Sequence, residues 1–166
     1  MSEREDLYRE LLDRNYSRWM GIARCYAAPH AREDLVQEIS LHVWKSLDGF
    51  SGRSHIDTWA YRVALNTALA WDRDVRRRDK RFDKNQGDVS VLIGGVTNET
   101  SEERILEEFL ASLSKMDRAA MLLYLENVPS GEAAEILGLR EGALRVRMHR
   151  IRKRFEATYC EQVKTK

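Results

Sequence analysis

The stretch Ser130-Gly-Glu-Ala-Ala-Glu-Ile-Leu-Gly-Leu-Arg-Glu-Gly-Ala-Leu-Arg-Val-Arg-Met-His-Arg-Ile-Arg-Lys-Arg-Phe155 decides how this 166-residue chain is read. It predicts two helices joined by a tight turn. The first spans 130–137, and Ala133 and Ala134 are small enough for a second helix to pack closely against it. Gly138 can adopt the left-handed conformation that such a turn requires, and Leu139 can plug the junction. The second helix begins near Glu141 and runs to about Tyr159. On it Leu144, Met148, Ile151 and Phe155 recur at i, i+4, i+7 and i+11, an apolar stripe for a core. Arg145, Arg147, His149, Arg150, Arg152 and Arg154 fall outside that stripe.

Residues 140–155 hold seven basic side chains and one acid, Glu141. A solvated face on an ordinary amphipathic helix is one account of that bias. A fitting turn directly before it favours another, a recognition helix whose N-terminal half enters a DNA major groove. Guanidinium forks suit guanine O6 and N7, while other cations hold phosphates. The candidate duplex-reading residues are Arg140, Arg145, Val146, Arg147, His149, Arg150 and Arg152.

Working outward, residues 102–113 and 115–127 read as two helices, with Ser114 and Asp117 placed as a capping pair. Residues 83–101 break the pattern through Asn85-Gln86-Gly87-Asp88, Gly94-Gly95 and Thr97-Asn98, all turn formers. They predict a flexible linker, about 65 Å long at full extension, with an apolar run, Val89–Ile93, inside it. Before it, residues 5–28 read as a helix that Pro29-His30 ends. Val36, Ile39, Val43 and Leu47 then mark a helix over 31–48, stopped by Gly49. A loop, Phe50–Arg53, leads to Ser54, which with Asp57 resembles another cap. The following helix carries Trp59, Val63, Asn66 and Ala70 on one face and ends in a basic run. The expectation is an all-α fold of two small helical domains, 1–82 and 102–166, joined by the linker.

Composition narrows the function. Net charge is only +1, but it is unevenly spread: +2 over 1–82, −5 over 83–113 and +4 over 114–166. Two basic blocks around an acidic connector suit polyanion contacts at both ends. No run of 18 apolar residues and no apolar leader is present, so a soluble, cytoplasmic protein is expected. Two cysteines, Cys25 and Cys160, and four scattered histidines, His30, His42, His55 and His149, lack metal-ligand spacing. With no glycine-rich phosphate loop and no nucleophile motif, neither cofactor nor metal nor catalysis is expected.

Asp34-Leu-Val-Gln37-Glu38, Val43-Trp44, Phe50-Ser-Gly-Arg-Ser54, Thr58-Trp59-Ala-Tyr61-Arg62-Val-Ala-Leu-Asn66 and the basic Arg76-Arg77-Arg78, in that order, resemble the second region of an extracytoplasmic-function sigma factor of the sigma-70 family. The helix-turn-helix at 130–155 is similar to that family's fourth region. The resemblance implies a promoter-specificity subunit of bacterial RNA polymerase. On it, Asp34, Gln37, Glu38 and Lys45 dock on the clamp helices of the largest polymerase subunit, and the C-terminal domain meets the flap of the second-largest. Phe50, Ser51, Gly52, Arg53, Ser54 and Asn66, with Tyr61, serve an unpaired base of the −10 element. Arg62, Arg73, Arg76 and Arg77 hold its backbone. Trp59 reads first as core. The seven candidates on the last helix read the −35 element as duplex. An anti-sigma factor is a further implied partner; no small-molecule substrate is.

The chain departs from the family pattern at Leu113-Ser114, at Gly142-Ala143-Leu144 and at Glu132-Ala133-Ala134, changes that bear on promoter preference. The alternative is a conventional helix-turn-helix regulator that binds an operator as a dimer, which leaves the 34–66 pattern unexplained.

Overall fold

The computed structural model describes residues 3–82 and 101–163. The expected linker, apart from Ser101, and its Val89–Ile93 run lie outside the described residues. The chain divides into two units, Met1–Gly94 and Gly95–Lys166, and no strand occurs among the described residues.

The first unit packs three helices against one another: α1 (Glu3–Tyr26), α2 (Arg32–Ser46) and α3 (Ile56–Phe82). Short 3₁₀ turns, Pro29–Ala31 and Leu47–Gly49, bracket α2. Pro29 suits the first position of such a turn because its missing N–H has no partner to lose there. Leu11, Trp19 and Ile22 of α1 and Leu35, Ile39 and Val43 of α2 are fully or almost fully buried. Each contributes about 1.5–3 kcal/mol of transfer free energy. Ala60, Ala64 and Ala68, one turn apart on α3 and fully buried, let that helix approach its neighbours closely.

Polar bonds fix how these helices sit. Asn15, buried in the middle of α1, donates from Nδ2 to the Leu11 carbonyl at 2.9 Å and to Asp57 Oδ1 at 2.7 Å. Arg4 reaches across to α2: its Nη2 donates to the Trp44 carbonyl at 2.8 Å and its guanidinium lies 4.1 Å from the Trp44 ring centre. Asp57 is thereby used differently from the expectation. Helix α3 starts one residue after His55, whose carbonyl accepts the Trp59 N–H at 3.0 Å and whose Nδ1 accepts the Asp57 N–H at 3.3 Å. His55 therefore occupies the cap position expected of Ser54.

The second unit comprises α4 (Ser101–Ser112), α5 (Lys115–Leu125), α6 (Ser130–Leu137) and α7 (Glu141–Val163). Ser114 caps α5 as expected, its Oγ accepting the Asp117 N–H at 3.2 Å. Two helices end in the same way. After α6, Gly138 (φ +66°) turns left-handed, and the N–H groups of Gly138 and Leu139 bond the Glu135 and Ala134 carbonyls. After α5, Asn127 (φ +56°) makes the equivalent turn, and Asn127 and Val128 bond Tyr124 and Leu123. This pairing closes orphan carbonyls and needs a residue that tolerates positive φ. Phe109 of α4 packs edge-on against Phe155 of α7, ring centres 4.9 Å apart.

One buried charge organises the unit. Arg118, 5% exposed, donates from Nε to the Leu110 carbonyl at 2.9 Å and from Nη2 to Ala111 at 3.1 Å. Those carbonyls belong to the last turn of α4, where backbone acceptors lack helical partners and a cation is favoured.

Candidate nucleic-acid interface

On α7 the buried and exposed faces are sharply separated. Leu144 and Ile151 are buried. About 160° round the helix, Gly142, Val146, His149 and Lys153 follow the same i, i+4, i+7, i+11 spacing and are all exposed. This outward ridge is flanked by Arg145 on one side and Arg150 on the other, both exposed. Arg145 makes only a one-turn ion pair with Glu141 at 3.1 Å, in solvent, which is worth a few tenths of a kcal/mol. Arg140 is exposed just before the helix, and its carbonyl accepts the Leu144 N–H at 3.0 Å. Arg152 stays exposed, its guanidinium 5.8 Å from the Tyr124 ring centre.

Arg147 is different. Its Nη1 bonds Asp117 Oδ1 at the start of α5, and it lies about 100° round the helix from Val146. The guanidinium expected to read bases is thus engaged within the unit, where it ties α7 to the start of α5. Arg154 behaves likewise, donating to the Ser112 carbonyl at 3.2 Å. Lys153, not among the candidate residues, shares the exposed ridge, and its place opposite the apolar stripe is the sequence signal for that. A shallow groove runs beside the ridge, between Leu113 and Asp117 on one side and Ala143, Val146 and Arg150 on the other.

The first unit presents two polar faces. On α2, Asp34, Gln37 and Lys45 are exposed and Glu38 is half-exposed, bonded to His42 Nε2 at 3.1 Å. Leu41 shares that face and is 43% exposed. It lies outside the apolar stripe of Val36, Ile39, Val43 and Leu47 that marks this helix in the sequence. The spacing to Gln37 and Lys45, four residues either way, is the signal that places it outside.

The loop before α3 and one face of α3 form the second. Gly52 has φ +69°, a conformation that favours glycine. Arg53 donates from Nε to Ser51 Oγ at 2.9 Å, and Ser54 is half-buried. Phe50 packs on Trp59, ring centres 5.3 Å apart. On α3, Trp59, Arg62, Asn66, Arg73 and Arg77 recur at i, i+3, i+7, i+14 and i+18, within about 60° of one another. Asn66, Arg73 and Arg77 are exposed, and Trp59 and Arg62 half-buried. Arg76 is on the same helix, with its side chain outside the described residues.

Tyr61 does not belong to this face. Two residues from Trp59, it points about 200° away and is 0% exposed, with the Arg18 guanidinium 4.8 Å from its ring centre. The aromatic beside Phe50 is Trp59, half-buried at the border of the polar face, whereas Tyr61, expected on that face, is buried in the core. Among the described residues, no group of acidic, histidine or cysteine side chains is arranged to hold a metal ion, and no helix is long and apolar enough to cross a membrane.

Comparisons with known proteins follow the same division. Residues 5–88 match the family model of Sigma-70 region 2, and residues 103–155 match that of Sigma-70, region 4. The chain is 28% identical over 158 residues to the ECF RNA polymerase sigma-E factor of Haemophilus influenzae, covering 88% of this chain and 84% of that protein. It is 30% identical over 131 residues to the sigma-E factor of Escherichia coli K12, covering 72% and 69%. A shorter match, 45% identical over 60 residues, links it to the ECF RNA polymerase sigma factor SigG of Mycobacterium tuberculosis, covering 34% of this chain and 16% of that protein. In fold it is similar to the sigma factor RpoE solved with the anti-sigma factor NepR from Bartonella quintana, with a TM-score of 0.75 at 22% identity over 92% of this chain and 96% of that one.

Proposed function

Since the chain belongs to the sigma-70 family, in its extracytoplasmic-function branch, we propose that it directs bacterial RNA polymerase to particular promoters, with its two units dividing that work. The first unit, about residues 1–82, docks on the polymerase through the α2 face of Asp34, Gln37, Glu38, Leu41 and Lys45. It receives the −10 element along Phe50–Ser54 and the α3 face of Trp59, Arg62, Asn66, Arg73 and Arg77, with Arg76 of the same helix. An unpaired base needs a stacking face and hydrogen-bonding groups; the Phe50–Trp59 pair and Asn66 supply those chemistries. The second unit, about residues 102–166, binds the −35 element as duplex through Arg140, Arg145, Val146, His149, Arg150, Arg152 and Lys153, and meets the polymerase flap. Residues 83–101 connect them.

The observation that carries this reading is that both family regions occur on one chain, in order, with basic ridges on the helices the reading uses. The reading makes the protein a cytoplasmic, non-catalytic subunit. It also makes an anti-sigma factor a fitting partner, since the similar Bartonella quintana protein was solved with one. Binding to free DNA is expected to be weak, because few phosphates are engaged without polymerase, and added salt weakens it further.

The test is transcription in vitro by core RNA polymerase, with and without this protein, on fragmented genomic DNA of its host. New 5′ ends that share a −10/−35 pair support the reading. No initiation, together with polymerase-independent retention of specific fragments, favours a dimeric operator-binding regulator instead.

A further inference from the structure

Val146 is 52% exposed, the most exposed large apolar side chain among the described residues. A lone exposed valine on a protein surface is ordinary. This one sits in the middle of the outward ridge of α7, between Gly142 and His149, with Arg145 and Arg150 at its flanks. Neither the helix nor its solvation calls for it: a β-branched residue lowers helix propensity, and the surrounding positions are cationic or small. Its approach is unobstructed, because a Cβ placed on Gly142 would meet nothing within 4 Å and Ala143 adds one methyl group. The N-terminal end of the ridge is therefore low and apolar, and it rises to cations one turn later.

From this arrangement we propose that Val146 reads the 5-methyl group of a thymine in the duplex element bound by the second unit, and so sets part of the chain's promoter preference. The proposal rests on the sigma reading above. In the major groove the thymine methyl is the apolar feature among base edges that otherwise offer donors and acceptors. Valine meets it with two methyl groups whose χ1 is all but fixed in a helix, so little side-chain freedom is lost on contact. Arg150, one turn further on, is placed to take an adjacent guanine or phosphate.

The test uses the full-length protein with core RNA polymerase on a promoter recovered by mapping 5′ ends. Each thymine of the −35 element is replaced singly by deoxyuracil, which keeps base pairing and removes only the methyl group. For the unaltered protein, one position is expected to weaken promoter binding about fourfold, the worth of one buried methyl group. Val146→Ala is expected to bind the thymine and uracil promoters equally. Arg150→Ala serves as the comparison, weakening both alike while preserving their ratio. Val146 is exposed, so an unchanged helical melting curve for Val146→Ala verifies folding. If no uracil position discriminates, or if the discrimination persists in Val146→Ala, the proposal is overturned even though initiation proceeds. If the protein supports initiation from no promoter, the sigma reading falls first.

Discussion

Arg147 of α7 donates to Oδ1 of Asp117, thirty residues earlier at the start of α5, while Asp117 Oδ2 accepts the Ser114 hydroxyl at 2.8 Å. One carboxylate thus serves a helix cap and an anchor for the recognition helix. Of the neighbouring arginines on α7, Arg145 is spent on solvent and Arg147 on structure.

The two therefore separate in experiment. Arg145→Ala is expected to weaken −35 binding while leaving the melting temperature of the protein unchanged. Arg147→Ala is expected to lower stability by about 1 kcal/mol, because it leaves the part-buried Asp117 carboxylate without its cation. Thermal melts and promoter binding measured on both variants check this. Equal melting temperatures would return Arg147 to the reading surface.

On α2, replacing Asp34 and Glu38 together by Lys is expected to abolish association with core polymerase, since like charges at a docked face cost several kcal/mol. Leu41→Asp is expected to weaken it at least tenfold with no effect on isolated duplex binding. Both are read by co-sedimentation with core enzyme. Unchanged association would move the docking face elsewhere.

The paired helix ends of the second unit give a test of opposite signs. Gly138→Ala puts a side chain at φ +66° and is expected to cost about 1–2 kcal/mol. Asn127→Gly at φ +56° removes a smaller version of that strain and is expected to be neutral to stabilising by a few tenths of a kcal/mol. Urea denaturation of the two variants decides.

Asn15→Ala is expected to destabilise the first unit by about 1–3 kcal/mol, because Asp57 loses a buried donor. Combined with Asp57→Ala, the losses should fall short of their sum, since the residues share one bond. Strict additivity in chemical denaturation would show that the bond contributes nothing.

The helix-turn-helix was legible because its signals are local: a 3.6-residue apolar period, a glycine where a left-handed turn is needed, and Ser114 three residues before Asp117. Features set by distant partners were not. Trp59 and Tyr61 are two aromatics two residues apart, and only the guanidinium of Arg18 and the packing of α1 reveal that Tyr61 faces inward. Arg147 looks like Arg145 until Asp117 arrives from another helix. Ser54 lost the cap position to His55, and Asp57 turned to Asn15, 42 positions earlier. Arg118 carries no periodic signature at all, since its task is to satisfy the carbonyls that end a different helix.

The exposed stripe of α3 has a length as well as a chemistry. Trp59 and Arg77 are 18 positions apart on one uninterrupted helix, about 27 Å at 1.5 Å per residue. At the 3.4 Å spacing of stacked nucleotides, that straightedge runs alongside roughly eight of them. The aromatic sits at one end, the amide of Asn66 partway along, and guanidinium groups at Arg73 and Arg77 towards the other. A strand laid on it would meet the aromatic, Arg62 and the amide within the first two turns and guanidinium groups beyond them, so the two ends of the helix are not interchangeable.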